Sequence, residues 1–318
     1  VLAEPVLDGA NGVLVAPSRP DVDHLVAGGD AGGVALEEAI AGLALGGGGA
    51  RGIAHIGVIK ALETAGIPIH AIAGTSMGAL VGGWYAVHGE LSSLERIFLN
   101  IKKEDMVSSL KMYWRRDGTL FKDKDVTEMV ERKMKGKHFK DCLIPFAAVA
   151  TDVKSGEEVI IKEGSVSEAI HASSAIPFIF KPVSMDGRLL MDGGFVNPIP
   201  ADVVRKMGVD FVIAVDVTRG WVDITEGSSG LMDIPRTIDR LMTAIEYQIG
   251  RKQLEGTDMV LHPDVMSFSW LDFFRSKEII SAGAEEVIRN LGEIDKKTSY
   301  PPIPKSIFAK FMDFIFRN

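Results

Sequence analysis

Cysteine is almost absent: Cys142 is the only one in 318 residues. A lone thiol excludes an intramolecular disulfide and any multi-cysteine metal site, and it fits a reducing compartment. Positive charge is also in short supply. The chain has 43 acidic residues against 35 basic ones, a formal charge of −8 with its 7 histidines neutral. Nucleic-acid binders normally present a basic face, so that class is set aside. A secretory leader is missing too, since the opening VLAEPVLDGANG has neither a basic start nor an apolar core. Cytoplasmic residence is the expectation. The chain does not begin with Met, and residues 1–40, rich in Gly, Asp, Ala and Pro, read as a poorly structured leader or the tail of a missing upstream segment. Charge vanishes altogether between Thr64 and Gly89, a run long enough to cross a bilayer. That run holds Pro68, six glycines and two histidines, so a buried strand followed by a buried helix explains it better than a membrane span. There is no internal repeat.

What is present is a large apolar fraction, 46% of residues, enough for one big core or two small ones. From Leu43 the pattern becomes regular. Leu43–Leu45 reads as a strand entering GGGGARG at Gly46–Gly52, and Ile53, Ile56, Ile59 and Leu62 then recur at helical spacing up to a stop at Gly66. Ile69–Ala73 is the next expected strand and Met77–Val87 the next helix, with Leu91–Ile101 helical after it. Two strand-turn-helix units in succession predict an α/β protein with parallel strands buried on both faces. Residues 102–140 are charged and irregular, with a helix expected over Lys124–Lys135, and read as a lid or cap. Further strands are expected at Pro145–Thr151, Glu158–Lys162, Arg188–Met191, Phe211–Asp216 and Met259–His262. Helices are expected at Ser165–Ser173, Pro200–Met207, Asp233–Leu254 and Ser276–Leu291.

The chemistry gathers around IHAIAGTSMGALVGGWYA, Ile69–Ala86. Gly74-Thr-Ser76-Met-Gly78 is a G-x-S-x-G between a strand and a helix, the arrangement that puts a serine on a sharp turn at a sheet's edge. The pattern is weak by itself in a chain with 34 glycines, and the strand-to-helix switch around it is what makes Ser76 a candidate nucleophile. A serine hydroxyl needs a base and an oxyanion site. The glycine loop suits the second, because its amides can converge on one point without side chains in the way. It also contains G-x-G-x-x-G at Gly47, Gly49 and Gly52, the rival signature of a nucleotide loop. No Lys-Ser/Thr follows it, and no acid stands about twenty residues on to hold a ribose, which leaves the oxyanion reading ahead. Seven histidines are candidate bases: His24, His55, His70, His88, His138, His171 and His262. His262, after a late strand, fits a Ser, acid, His order with Asp192 or Asp216 as the acid. The competing design is a two-residue site in which Asp192, flanked by Gly193 and Gly194, takes the Ser76 proton itself. An ordinary Asp-Gly turn is the plain alternative for Asp192.

GGGGARG at Gly46–Gly52, GTSMG at Gly74–Gly78 and DGG at Asp192–Gly194 resemble the three signatures of the patatin-like phospholipases, most closely the bacterial branch related to neuropathy target esterase. ARGIAHIGVIKALE, ATDVKSGE, ASSAIPFIF and GGFVNPIPADVV match further, so the resemblance runs from Leu43 to Glu293. It implies a three-layer α/β/α patatin-like fold with a mainly parallel central sheet, in a catalytic domain over 41–296. It implies a Ser-Asp dyad that hydrolyses carboxylic esters of lipids. Residue by residue, Ser76 becomes the nucleophile and Asp192 the general base. Gly47, Gly48, Gly49 and the Arg51 backbone frame the oxyanion hole, and Gly52, Gly74, Gly78, Gly193 and Gly194 support these motifs. His262 becomes an ordinary residue. Gly46 replaces an acid common in plant members. No metal and no cofactor are implied, and the substrate class is phospholipid, lysophospholipid or another fatty-acyl ester. The alternatives are an acyltransferase on the same dyad and a non-catalytic, membrane-associated anion binder. Acyl-carrier transacylases carry a histidine just before the serine, where this chain has Thr75.

Residues 297–318 form a C-terminal amphipathic segment. In KSIFAKFMDFIFRN, Ile307, Phe308, Phe311, Met312 and Ile315 make a helical stripe beside Lys305, Lys310 and Arg317. Peripheral membrane contact through 305–318 is one reading. Packing on the chain's own core or on a homodimer partner is the other, and is favoured. FSWLDFF at Phe268–Phe274 raises the same question near a site entrance.

Overall fold

A computed structural model describes residues 39–104, 132–177, 180–218 and 234–298. All of them lie in the compact unit that spans 39–318. The lid and the Lys124–Lys135 helix expected within 102–140 fall largely outside the described residues, as do the segments 1–38 and 305–318.

Among the described residues eight strands form one sheet in the order β5-β6-β3-β2-β1-β7-β8, with β4 paired to β3. They are β1 Ala41–Leu45, β2 Ala71–Thr75, β3 Phe146–Asp152, β4 Glu158–Ile161, β5 Val183–Met185, β6 Arg188–Asp192, β7 Phe211–Val215 and β8 Met259–Leu261. The run β3-β2-β1-β7-β8 is parallel, while β4 and β6 pair with β3 and β5 with β6 in antiparallel fashion. Central parallel strands are buried on both faces and so carry no alternation: AGLAL in β1 and FVIAV in β7 are buried throughout. The hairpin β5–β6 was not expected. Its turn is Asp186-Gly187, both at positive φ (49° and 75°), the Asp-Gly pair that a tight hairpin uses.

Helices cover both faces. Helix α1 is Ala54–Thr64, α2 Met77–His88, α3 Ser92–Leu99, α4 Val166–Ser173, α5 Ala201–Lys206, α6 Ile234–Gln253 and α7 Ser276–Thr298. Leu43, Leu45, Ala148 and Ala150 meet α1, α2, α4 and α7 in one apolar layer; Ala44, Ala73, Ala147 and Val149 meet α5 and its neighbours in the other. Helix α2, MGALVGGWYAVH, is apolar all round because it is buried nearly all round, and it ends at Gly89 in the left-handed conformation. The uncharged run is therefore β2 plus α2. Among the described residues no helix is long and apolar enough to cross a membrane.

The register at β3 positions everything that follows. On one side β3 pairs continuously with β4, from Ala148↔Ile161 to Thr151↔Glu158. Its other side is shared. Strand β2 runs up it in parallel and stops with Thr75↔Val149, and β6 comes down it antiparallel and stops with Asp192↔Ala150. Two strands that meet the sheet from opposite directions thus end at adjacent residues of β3, and the residues at their tips are brought together.

Candidate active site

Ser76 sits where β2 turns into α2, with φ 55° and ψ −121°. A non-glycine residue at such φ is strained, and surrounding structure has to hold it there. Gly74 and Gly78 make the turn feasible. A Cβ on Gly74 would stand 2.3 Å from the Gly78 carbonyl oxygen, and one on Gly78 would stand 2.1 Å from that of Leu45. Ser76 is only 4% exposed, and its N–H is already engaged with the Ser173 hydroxyl at 3.0 Å.

Asp192, at the tip of β6, is 1% exposed. Its Oδ2 accepts a hydrogen bond from Ser76 Oγ at 2.6 Å, and its Oδ1 accepts one from the Gly194 amide at 2.8 Å. Burial pushes the carboxyl up from 3.8 to about 6, against the opposing pull of those two hydrogen bonds. Gly193 passes under β3, where a Cβ would stand 2.3 Å from the Val149 carbonyl oxygen. Thr151 Oγ1 donates to the Asp192 carbonyl at 2.7 Å and fixes the turn from the β3 side.

The glycine loop leaves β1 beside this pair. Gly48 and Gly49 have φ of 145° and 57°. The Gly47 N–H donates to the Pro198 carbonyl at 3.0 Å, the Ala50 N–H to that of Trp270 at 2.8 Å, and the Arg51 N–H to that of Gly48 at 3.2 Å. The amides of Gly48 and Gly49 donate to no described group, and both residues line the cleft that holds Ser76 and Asp192. Gly52 packs against Met77, the first residue of α2. The Arg51 side chain is buried. Its Nε donates to the Phe268 carbonyl at 2.8 Å and its Nη1 to Thr243 Oγ1 at 2.9 Å, which ties the loop to α6 and to the segment after β8. His55 Nε2 lies 2.8 Å from the Gly46 carbonyl oxygen. A carbonyl can only accept, so this nitrogen carries the proton; burial lowers the ring to about 4 and keeps it neutral.

Ile176, Met242, Thr243, Glu246 and Trp270 complete the cleft wall. Trp270 belongs to the aromatic stretch FSWLDFF. The α6 residues carry no local signature, and only the tertiary fold brings them here. Among the described residues no histidine lines the cleft. His262 lies elsewhere, with Nδ1 3.4 Å from Asp216 Oδ2 and its backbone N–H donating to Glu286 Oε1 at 3.0 Å. Asp216 thus does pair with His262, but neither lines the cleft. Among the described residues no group of His, Cys, Asp and Glu could hold a metal ion.

Residues 43–205 match the family model for patatin-like phospholipase. The patatin-like phospholipase domain-containing protein 6 of Homo sapiens is 37% identical over 267 residues, covering 76% of this chain and 19% of that protein. Domain-containing protein 7 of Rattus norvegicus is 32% identical over 267 residues, with 76% and 20% covered. An uncharacterized NTE family protein of Mycobacterium bovis is 39% identical over 208 residues, 60% of this chain and 57% of that one. The chain spans about a fifth of the length of the two mammalian relatives.

Proposed function

The chain belongs to the patatin-like phospholipase family, in the branch of the NTE family proteins, and from that membership we propose that it is a serine hydrolase of lipid carboxylic esters. The observation that carries the reading is the 2.6 Å hydrogen bond from Ser76 Oγ to a buried Asp192 whose basicity is raised by that burial. A carboxylate near 6 is ionised at neutral pH yet far more basic than a solvated one, as a general base requires.

In the proposed mechanism Asp192 Oδ2 takes the Ser76 proton as Oγ bonds to the ester carbon. The carbonyl oxygen becomes an oxyanion held by the glycine-loop amides, with Gly48 and Gly49 offering unengaged donors and Gly47 and Arg51 shaping the loop. Collapse breaks the bond to the alcohol, which leaves with the proton from Asp192. Water then gives a proton to Asp192 and its hydroxyl to the acyl carbon, and Ser76 is expelled and reprotonated. A free fatty acid and an alcohol result. The engaged serine and carboxylate favour this reading over an idle anion-binding loop.

Turnover of a short p-nitrophenyl ester and of a lysophospholipid tests it. Ser76→Ala and Asp192→Asn are expected to abolish both, whereas His262→Ala keeps most of the activity. A folded but inactive His262→Ala protein would sink the two-residue site. The proposed substrate class is phospholipid, lysophospholipid or another fatty-acyl ester, with peripheral membrane contact through 305–318 as one reading of the tail and packing on the protein or a second copy as the other. Deleting 305–318 assigns the tail. Lost liposome co-sedimentation with soluble-ester turnover retained places it on lipid, and a lower melting temperature with unchanged co-sedimentation places it on the protein or a second copy.

A further inference from the structure

The stretch ASSAIP at the end of α4 is not used by the dyad chemistry, yet it touches both dyad members. Ser173 is fully buried; its Oγ donates to the Val149 carbonyl at 2.5 Å and accepts the Ser76 N–H at 3.0 Å. The Ser174 Oγ donates to the Ser76 carbonyl at 3.2 Å. One residue on, the Ala175 carbonyl accepts the Asp192 N–H at 3.0 Å. Ile176 then lines the cleft.

We propose that Ser173–Ala175 is a bracket that sets the separation of nucleophile and base, with Ser173 and Ser174 as positioning residues for the acyl-transfer step. The inference rests on the reading of Ser76 and Asp192 as the catalytic pair. Consecutive hydroxyls hold the peptide groups on both sides of the Ser76 α-carbon. The elbow cannot relax from φ 55° towards a common conformation without giving up hydrogen bonds to both. The next carbonyl along the same backbone holds the tip of β6. Val149, which accepts from Ser173, is the residue opposite which β2 stops, so the bracket lies across the junction where β2 and β6 abut. No ladder hydrogen bond links two strands that meet end to end. Strand β3 sets their register, and Ser173–Ala175 adds a second tie that reaches both tips directly. The bracket also occupies the Ser76 N–H, which leaves the oxyanion to the glycine loop.

The test compares kcat per active site, counted by titration with a fluorophosphonate, for wild type, Ser173→Ala and Ser174→Ala on a p-nitrophenyl ester. Melting temperature is followed in parallel. Ser173→Ala is expected to lower kcat per titrated site about 10- to 100-fold, as slight misplacement of reacting groups does. KM should stay within about twofold, and the rate of phosphonylation should fall with kcat, because both need the same alignment. Ser174→Ala, at a partly exposed position, should lose less, about three- to tenfold, and it decides the matter if Ser173→Ala does not fold. A merely structural role would reduce the number of titratable sites and the melting temperature while leaving kcat per site alone. A kcat per site within about twofold of wild type in the folded variants overturns the bracket while the dyad stands. A wild type that neither turns over the ester nor takes the phosphonate removes the dyad and the bracket together.

Discussion

Asp192 holds its charge at a cost. Its ordinary value of 3.8 is raised to about 6 in the folded protein, so the ionised form is favoured less in the native state than in the unfolded chain. Below about pH 4 the group is protonated in both states and the penalty is absent. It grows as pH rises from about 4 to 6, reaching on the order of 3 kcal/mol, and it persists above that range. Asp192→Asn keeps the shape without the charge. It is expected to melt higher than wild type at pH 8, with the difference vanishing near pH 4; equal melting at pH 8 would remove the penalty. The same shift sets the acid limb of catalysis. The kcat/KM for a soluble ester should rise through about pH 6 as Asp192 becomes able to accept a proton. A profile flat from pH 5 to 8 would point to another base.

The elbow is a packing problem as much as a catalytic one. Gly74, at the end of β2, lies against Gly78 of α2, and Gly78 lies against the last carbonyl of β1. Adding one methyl at position 78 must push α2 off the sheet, because the atom it meets is backbone and cannot turn aside. Gly78→Ala is therefore expected to destabilise the fold by about 1–3 kcal/mol or more, read from urea unfolding, and to reduce phosphonylation of whatever remains folded. An unchanged midpoint would contradict the packing described. This device was legible in the sequence because a strand, a turn and a helix are local, and glycine spacing reports their close approach. The β5–β6 turn is legible as well: Asp186-Gly187 is a hairpin signal, and Arg188–Met191, expected as a lone strand, is the second strand of that hairpin. The boundaries of β2 moved later, from Ile69–Ala73 to Ala71–Thr75, since the pairing with β3 carries the strand up to the turn itself.

Across the whole molecule the site depends on what no local pattern specifies. Ser76 and Asp192 are 116 residues apart and meet because β2 and β6 share one flank of β3. Periodicity found both strands but could not supply that register, and so Asp192 and His262 both stayed open as partners until motif resemblance favoured the first. Met242, Thr243 and Glu246 had no signature at all, because α6 reaches the cleft only through packing. The amides of the glycine loop divide: those of Gly47, Ala50 and Arg51 brace the loop, and those of Gly48 and Gly49, two residues that line the cleft, donate to no described group. Activity by a serine and an aspartate alone is the claim on which all of this turns. The most direct measurement is the site and rate of fluorophosphonate labelling, mapped by mass spectrometry in wild type, Asp192→Asn and His262→Ala. The dyad predicts one label on Ser76 in wild type, an equal label in His262→Ala, and almost none in Asp192→Asn. A label on another serine, or an Asp192→Asn protein labelled at the wild-type rate, would contradict it.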